Sequence, residues 1–278
     1  MDGSAAQSYV GRKLTEVGEI STQRCAEICA TFGWDDDVAL GAVLPQLAHW
    51  CAFSPVVATE KLGSDGHPAK GAFLPDLGLE RRMWASGSLQ FLKALHVGER
   101  LERRMTIEKV DIKEGSTGTM AFVTVDHDVL GEDGLAIKET QNIVYLAMPK
   151  SFNPPPKKPM LETFVFEKTH PMPSTRLFRF SAITFNAHRI HFDLPYAQDV
   201  EQYPGLVVHG PMQAMIIARE TSLHAKKPLT HFDFRGVHPC FHFDDFTVRA
   251  EQGDETNQLS IAGGVLGGHR TMQAKARW

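Results

Sequence analysis

The chain has 278 residues, 42% hydrophobic and 22% charged, a globular composition long enough for two cores that need neither metal nor disulfides to hold them. Its 29 basic and 33 acidic side chains leave a net charge of −4, which excludes electrostatic attraction to nucleic acid or an anionic membrane as the main basis of its binding. No run of about 18 apolar residues occurs, and residues 1–9 lack the basic-then-apolar order of a secretion signal, so a cytoplasmic protein with no membrane partner is expected.

In chain order, the first periodic segment follows Ser21-Thr22, a pair that offers a helix N-cap, after which Cys25, Ile28, Cys29 and Phe32 recur at helical spacing. That spacing makes Cys25 and Cys29 small core residues; with Cys51 and Cys240 they form no CxxC pair, so neither zinc nor a redox centre is expected. Asp65-Gly66 and Pro68 read as loop punctuation. Residues 119–129 alternate, with Met120, Phe122 and Thr124 on one face and Ala121, Val123 and Val125 on the other, a strand partly covered on both sides. Glu132-Asp133-Gly134 supplies the hairpin turn that follows.

Residues 148–160 contain Asn153-Pro154-Pro155-Pro156 and Pro159 and can form neither a helix nor a central strand. They divide the chain into a first half, 1–147, a linker, and a second half, 161–278. A shift of 153 positions brings Ser21-Thr22 onto Ser174-Thr175 and Thr31-Phe32 onto Thr184-Phe185 without a gap, which points to duplication. The copies then diverge: the first continues Gly33-Trp34-Asp35-Asp36, the second Asn186-Ala187-His188-Arg189-Ile190-His191. Only the second has imidazoles there, so the second half is expected to carry the chemistry and the first to shape the substrate pocket.

Beyond this loop, residues 211–224 present Met212, Ala214, Met215, Ile216, Ile217 and Ala218 with almost no polar face, a helix that must be enveloped. Pro211 at its start, with Gly210 before it, gives a sharp entry with free N–H groups. Leu259 and Ile261, then Met272, Ala274, Ala276 and Trp278, alternate with polar residues as in a sheet with one wet face. Antiparallel strands around one buried helix define an α+β hot-dog fold, and duplication makes it a double hot dog.

An amide, two imidazoles and a carboxylate stand within eight positions at Asn186, His188, His191 and Asp193. Imidazole gains and loses protons near neutrality, and an amide can orient water without competing for its proton. His209-Gly210 leads into the enclosed helix, where the Gly210 N–H would meet an oxyanion at the positive end of the helix dipole. Those parts suit hydration of a double bond conjugated to a thioester, in which water attacks the β carbon, the α carbon is protonated and the carbonyl oxygen carries charge between the two events.

The run from Asn186 to Asp193, with Tyr196-Ala197 and His209-Gly210, resembles the Asp-x-Asn-Pro-x-His motif of the MaoC-like, R-specific enoyl-CoA hydratases. Aligned without gaps, Asn186 stands where that family has its catalytic Asp, His188 where it has Asn, and His191 on the catalytic His. Leu62-Gly-Ser-Asp-Gly-His-Pro68, Gly71-Ala-Phe-Leu-Pro75 and Arg81-Arg-Met-Trp-Ala85 are similar to segments of its double hot-dog subgroup, the itaconyl-CoA and mesaconyl-C4-CoA hydratases and the mitochondrial 3-hydroxyacyl thioester dehydratases. The resemblance implies a hydro-lyase acting on an acyl-CoA or acyl-carrier-protein thioester, with no cofactor beyond the coenzyme A of the substrate, and a possible homodimer. A C5 dicarboxylic acyl chain such as itaconyl or mesaconyl would want an arginine fork, for which Arg82, Arg179 and Arg189 are candidates beside Arg81, with His209 as a further substrate contact. Adjacent Arg81 and Arg82 would face opposite ways in a strand, so at most one enters the pocket. The fatty-acid type of 3-hydroxyacyl thioester dehydratase is the alternative. Three rivals stand beside these: a zinc hydrolase using His188, His191 and Asp193 with His238 or His242, a thioesterase, and an acyl-CoA-binding protein without turnover.

Overall fold

A computed structural model describes residues 6–115 and 118–278. The elements of the first half are β1 (Lys13–Glu19), α1 (Thr22–Phe32), β2 (Arg81–Phe91), β3 (Arg100–Gly115), β4 (Gly118–Gly131) and β5 (Gly134–Leu146). Those of the second are β6 (Phe166–Pro171), α2 (Ser174–Ile183), α3 (Gly210–Ala225), β7 (His231–Gly236), β8 (Asp245–Gln252), β9 (Gln258–Val265) and β10 (Arg270–Arg277). No regular element beyond an isolated bridge at Pro159 lies in 148–160.

The ten strands form one antiparallel sheet ordered β1-β3-β4-β5-β2-β7-β10-β9-β8-β6. Read outward from its centre, the order of the first five strands repeats in the second five, which is duplication expressed as topology. The halves are joined where β2 pairs with β7, Ser86 opposite Arg235 through Gln90 opposite His231. The double hot dog is therefore one continuous sheet rather than two.

The predicted helices form for the expected reasons, with one difference at a cap. Ser21 caps α1 by accepting a hydrogen bond from the N–H of Arg24 at 3.1 Å. In the second copy Pro173 holds the cap position without a side-chain bond, and Ser174 is drawn into the first turn. Phe32 of α1 meets Phe180 of α2 edge to face, with centroids 5.9 Å apart. α3 is buried from Met212 through Ala218, and each of its larger side chains contributes roughly 2 kcal/mol by leaving water. No comparable long helix covers the first half among the described residues; Gly41, Pro45 and Pro55 interrupt that stretch, and a short turn at Ala48–Cys51 fills it instead. That turn sets Trp50 against Trp84 at 4.8 Å and Phe234 at 5.8 Å. No described helix is long and apolar enough to cross a membrane.

Candidate active site

The loop between α2 and α3 carries the histidines, and backbone bonds fold it over the start of α3. The N–H of Val207 donates to Ile190 O at 2.9 Å and that of Val208 to Cys240 O at 2.8 Å. Gln213 braces the first turn of α3 from inside, its Nε2 donating to Val208 O at 3.3 Å while its Oε1 accepts from the Thr271 hydroxyl at 2.7 Å. His209 is the N-cap residue, so Gly210 is the first helical residue and Pro211 the second. A Cβ on Gly210 would be in ordinary contact with Trp84 O at 4.0 Å, so the Trp84 carbonyl of β2 flanks the helix mouth.

His191 is buried in a short turn, Arg189–His191. Its Nδ1–H donates to Val207 O at 2.7 Å, which fixes the neutral tautomer with Nε2 as a bare acceptor. Burial, then the neighbouring His209 and His188 rings, push its pKa well below the ordinary 6.5. Its ring stacks on His209 with centroids 3.6 Å apart, which places it beside the mouth of α3. His209 itself is 1% exposed, with Nε2 against the Ser181 hydroxyl at 2.9 Å and its pKa pushed by burial to about 3. It packs against His191, and its Nδ1 is buried without a hydrogen-bond partner among the described residues.

Asn186 and His188 are brought together by the backbone. The Asn186 Oδ1 accepts the His188 N–H at 3.0 Å, so the amide orients the loop. The His188 ring lies edge to face with His191, centroids 5.3 Å apart, and its Nε2 is 3.8 Å from Glu201 Oε1. Glu201 is 3% exposed and its other oxygen meets Arg81 Nε at 2.7 Å.

The four arginines divide sharply. Arg189 is occupied: Nε donates to Asp193 at 2.9 Å and Nη1 to Ser64 O at 3.1 Å, while the guanidinium covers the Tyr196 ring. Arg179 lies on the exposed face of α2, away from the buried Leu177 and Phe180. Arg81 is held by Glu201 and the Tyr203 hydroxyl. Arg82 points the other way, as adjacent strand residues must; its Nη2 donates to Pro68 O at 3.2 Å, and among the described residues no carboxylate lies within ion-pair distance of it.

Asp65, which the sequence presents as turn punctuation, and His67 of the same string lie at the centre. Asp65 and His67, from the first half, press onto the histidine loop: the Arg189 N–H donates to Asp65 O at 2.9 Å, and the His67 ring centroid is 4.1 Å from that of His188. Gly66 permits this approach, because a Cβ there would lie 1.8 Å from Ala187 O. Asp65 grips His67 twice, Oδ1 accepting its backbone N–H at 3.0 Å and Oδ2 its Nδ1–H at 3.0 Å. Burial alone would raise the Asp65 pKa, but the hydrogen bond and charge of His67 bring it well below the usual carboxylate range. His67 is pushed to about 4, chiefly by burial and then by His188 and Arg82, against the opposing pull of Asp65.

The zinc set of the rival reading is not gathered: Asp193 is taken by Arg189, and His191 Nδ1 by a carbonyl. A different trio, Asp65, His67 and His188, has ligand atoms within 4.8 Å of one another. In it Asp65 Oδ2 and His67 Nδ1 already satisfy each other. A groove of about 590 Å³ along β1–β5 touches none of these residues.

Comparison with known proteins follows the same lines. Residues 47–242 match the family described as hydroxyacyl-thioester dehydratase type 2. The mesaconyl-C(4)-CoA hydratase of Chloroflexus aurantiacus is 39% identical over 79% of this chain and 79% of its own length. The mitochondrial hydroxyacyl-thioester dehydratase type 2 of Schizosaccharomyces pombe is 28% identical over 69% of this chain and 73% of its own. The crystal structure of a MaoC-like dehydratase from Phytophthora capsici superposes with a TM-score of 0.73 at 12% identity, covering 100% of this chain and 99% of that one, a likeness of fold.

Proposed function

This chain belongs to the hydroxyacyl-thioester dehydratase type 2 family, and from that premise we propose that it is a hydro-lyase adding water to, and removing it from, an enoyl thioester. The observation that carries this reading is the His191 Nε2, an obligate acceptor in its neutral ring, stacked on the residue that opens α3. Water hydrogen-bonded to that nitrogen would attack the β carbon of an acyl chain whose thioester oxygen rests on the Gly210 N–H. The first N–H of a helix has no upstream carbonyl to bind, and it sits at the positive end of the dipole, so it stabilises the enolate oxygen more than the ground-state carbonyl. Asn186 and His188 serve by fixing the loop that carries His191. The chemistry is acid–base work on the substrate itself and calls for no cofactor beyond its coenzyme A.

For the acyl group we favour a C5 dicarboxylic chain, as in itaconyl-CoA or mesaconyl-CoA. Of the four arginines, Arg82 alone combines partial burial, a place beside His67 and no carboxylate partner among the described residues. A guanidinium so placed is suited to a free substrate carboxylate. A second reading, dehydration of a fatty 3-hydroxyacyl thioester, is favoured by the apolar cluster of Trp50, Trp84 and Phe234, whose Trp84 main-chain carbonyl lies against the Gly210 position and whose rings suit an apolar tail.

One assay tests both. Purified protein is offered crotonyl-CoA, itaconyl-CoA and mesaconyl-CoA, with enoyl absorbance and free thiol followed together. Reversible loss of absorbance without thiol, fastest with a dicarboxylic ester, is expected. Thiol released at turnover rates would replace the hydro-lyase by a thioesterase, and preference for crotonyl-CoA would favour the fatty-acid reading.

A further inference from the structure

Hydration needs a group that takes a proton from water and returns it to the α carbon, and His191 is poorly placed to hold that proton. Its imidazolium would be largely buried, stacked on neutral His209, with a carbonyl but no carboxylate on Nδ1. Glu201 cannot help it, for that carboxylate is paired with Arg81 at 2.7 Å and reaches only His188, at 3.8 Å. Asn186, standing where a carboxylate would be expected, is an amide turned onto a backbone N–H. Asp65 of the first half supplies a carboxylate, bound at 3.0 Å to the ring of His67.

We propose that His67, held by Asp65, is the group that carries the proton between water and the α carbon, so that the active site is built from both halves of the chain. This rests on the hydro-lyase reading above. Asp65 accepts the Nδ1–H and leaves the His67 Nε2 lone pair free, and the side chain of His67 keeps 23% of its surface exposed, enough to meet a substrate. Asp65 keeps 14%, so it is positioned behind the ring rather than against the substrate.

In the hydration direction, one hydrogen of the water is donated to His191 Nε2 and the other passes to His67 Nε2 as the water oxygen bonds to the β carbon. The π pair moves toward the carbonyl and forms an enolate whose oxygen rests on the Gly210 N–H. The His67 imidazolium, now paired with the Asp65 carboxylate, then gives the same proton to the α carbon, and the ring is neutral again. One water is consumed and nothing else is needed. Both new bonds form on the face of the double bond that His67 meets, so addition is syn.

The test uses the full chain with crotonyl-CoA and mesaconyl-CoA, and the variants His67→Gln, His67→Asn, Asp65→Asn and Asp65→Glu, each checked by circular dichroism. His67→Gln and His67→Asn are expected to lower kcat on the order of a hundredfold with KM changed only a few-fold. Asp65→Asn keeps the acceptor for the His67 N–H but removes the charge. It should lower kcat about tenfold and move the acid limb of the kcat/KM profile to lower pH, because the imidazolium loses its stabilising partner. Asp65→Glu, which restores the charge, should recover most of the rate, an outcome a purely structural role would not produce. His67→Gln at a third or more of the wild-type rate would overturn the proposal, as would an unmoved acid limb in Asp65→Asn. So would one divalent metal per wild-type chain that is lost together with activity in Asp65→Asn, since the same residues would then be ligands. A wild type that turns over neither ester sinks the hydro-lyase reading itself; an active wild type beside an unaffected His67→Gln sinks only this inference.

Discussion

Replacing Gly66 by Ala tests whether the two halves must meet at this loop. The added Cβ would lie 1.8 Å from Ala187 O and 2.8 Å from its carbonyl carbon, and the backbone there has φ of +88°. The left-handed conformation costs a non-glycine residue about 1–2 kcal/mol, and to reach ordinary contact the two backbones must part by roughly 1.5 Å. That shift carries Asp65 and His67 away from His188, and a misplacement of about 1 Å at a reacting group costs on the order of a hundredfold in rate. Gly134, the first residue of β5 after the hairpin turn, has nearly the same φ, +91°, but nothing within 4 Å of its Cβ position. Gly134→Ala therefore shares the backbone strain without the collision. Thermal melts should show both variants mildly destabilised, while steady-state hydration of crotonyl-CoA or mesaconyl-CoA should fall about a hundredfold for Gly66→Ala and less than twofold for Gly134→Ala. Equal activity in the two would refute the claim that close approach of the Asp65–His67 turn to the histidine loop is needed for turnover.

Other expectations follow from the same geometry. His191→Ala should reduce kcat by about a hundredfold or more with an unchanged circular dichroism spectrum, and a near-normal rate would remove this ring from the chemistry. Gly210→Pro deletes the proposed oxyanion donor at a helix position that tolerates proline, and His209 before it is already extended, with ψ of 133°, as a residue preceding proline requires. Its kcat should drop roughly a hundredfold with the helix retained; full activity would place the thioester oxygen elsewhere. Arg82→Gln should raise KM for mesaconyl-CoA about tenfold or more while leaving crotonyl-CoA within about twofold, and equal effects on both esters would mean that no substrate carboxylate binds there. The buried rings of His127 and His209 have pKa values lowered to about 4 and about 3, mainly by burial, so the folded chain binds fewer protons than the unfolded one below about pH 6.5. Stability from these rings is full above that pH and is lost as pH falls toward 4, at about 1.4 kcal/mol per pH unit for each ring. Glu139, lowered to about 2 by its hydrogen bond to His49 and the charge of His127 against the effect of burial, adds a loss between about pH 4.5 and 2. Urea midpoints measured at about pH 7 and about pH 5 should fall on acidification; a rise would contradict the buried neutral rings.

The parts of this fold legible in the sequence are those whose signal is contiguous. The apolar run of α3, the alternation in β4 and β10 and the turn at Gly134 depend on neighbours in the chain, and each stands where its pattern implies. The duplication was legible because a constant shift of 153 relates both helices and the β1 and β6 strands that precede them. The histidine loop was legible as a cluster, but the fate of its members was not. Arg189 reads as a candidate substrate fork until Asp193, Ser64 and Tyr196 are seen to occupy it, and nothing in the sequence near His209 announces that Ser181 and Phe180 enclose it.

Asp65 and His67 were hidden for a deeper reason. An Asp-Gly-His string reads as a turn because glycine supplies positive φ, and the structure does place Gly66 at positive φ, so the turn reading is true. Glycine answers equally to a second demand, close approach of another backbone, and one sequence cannot separate the two because both remove the Cβ. What separates them here is the carbonyl of Ala187, contributed by the other half of the chain, and with it comes the juxtaposition of a carboxylate-held imidazole and the histidine loop. In a duplicated fold the motif of one copy therefore understates the site. The Asn at 186 loses no function by lacking a negative charge if the charge arrives from the opposite copy, and a family motif scored on the second half alone counts as a departure what the assembled chain makes good.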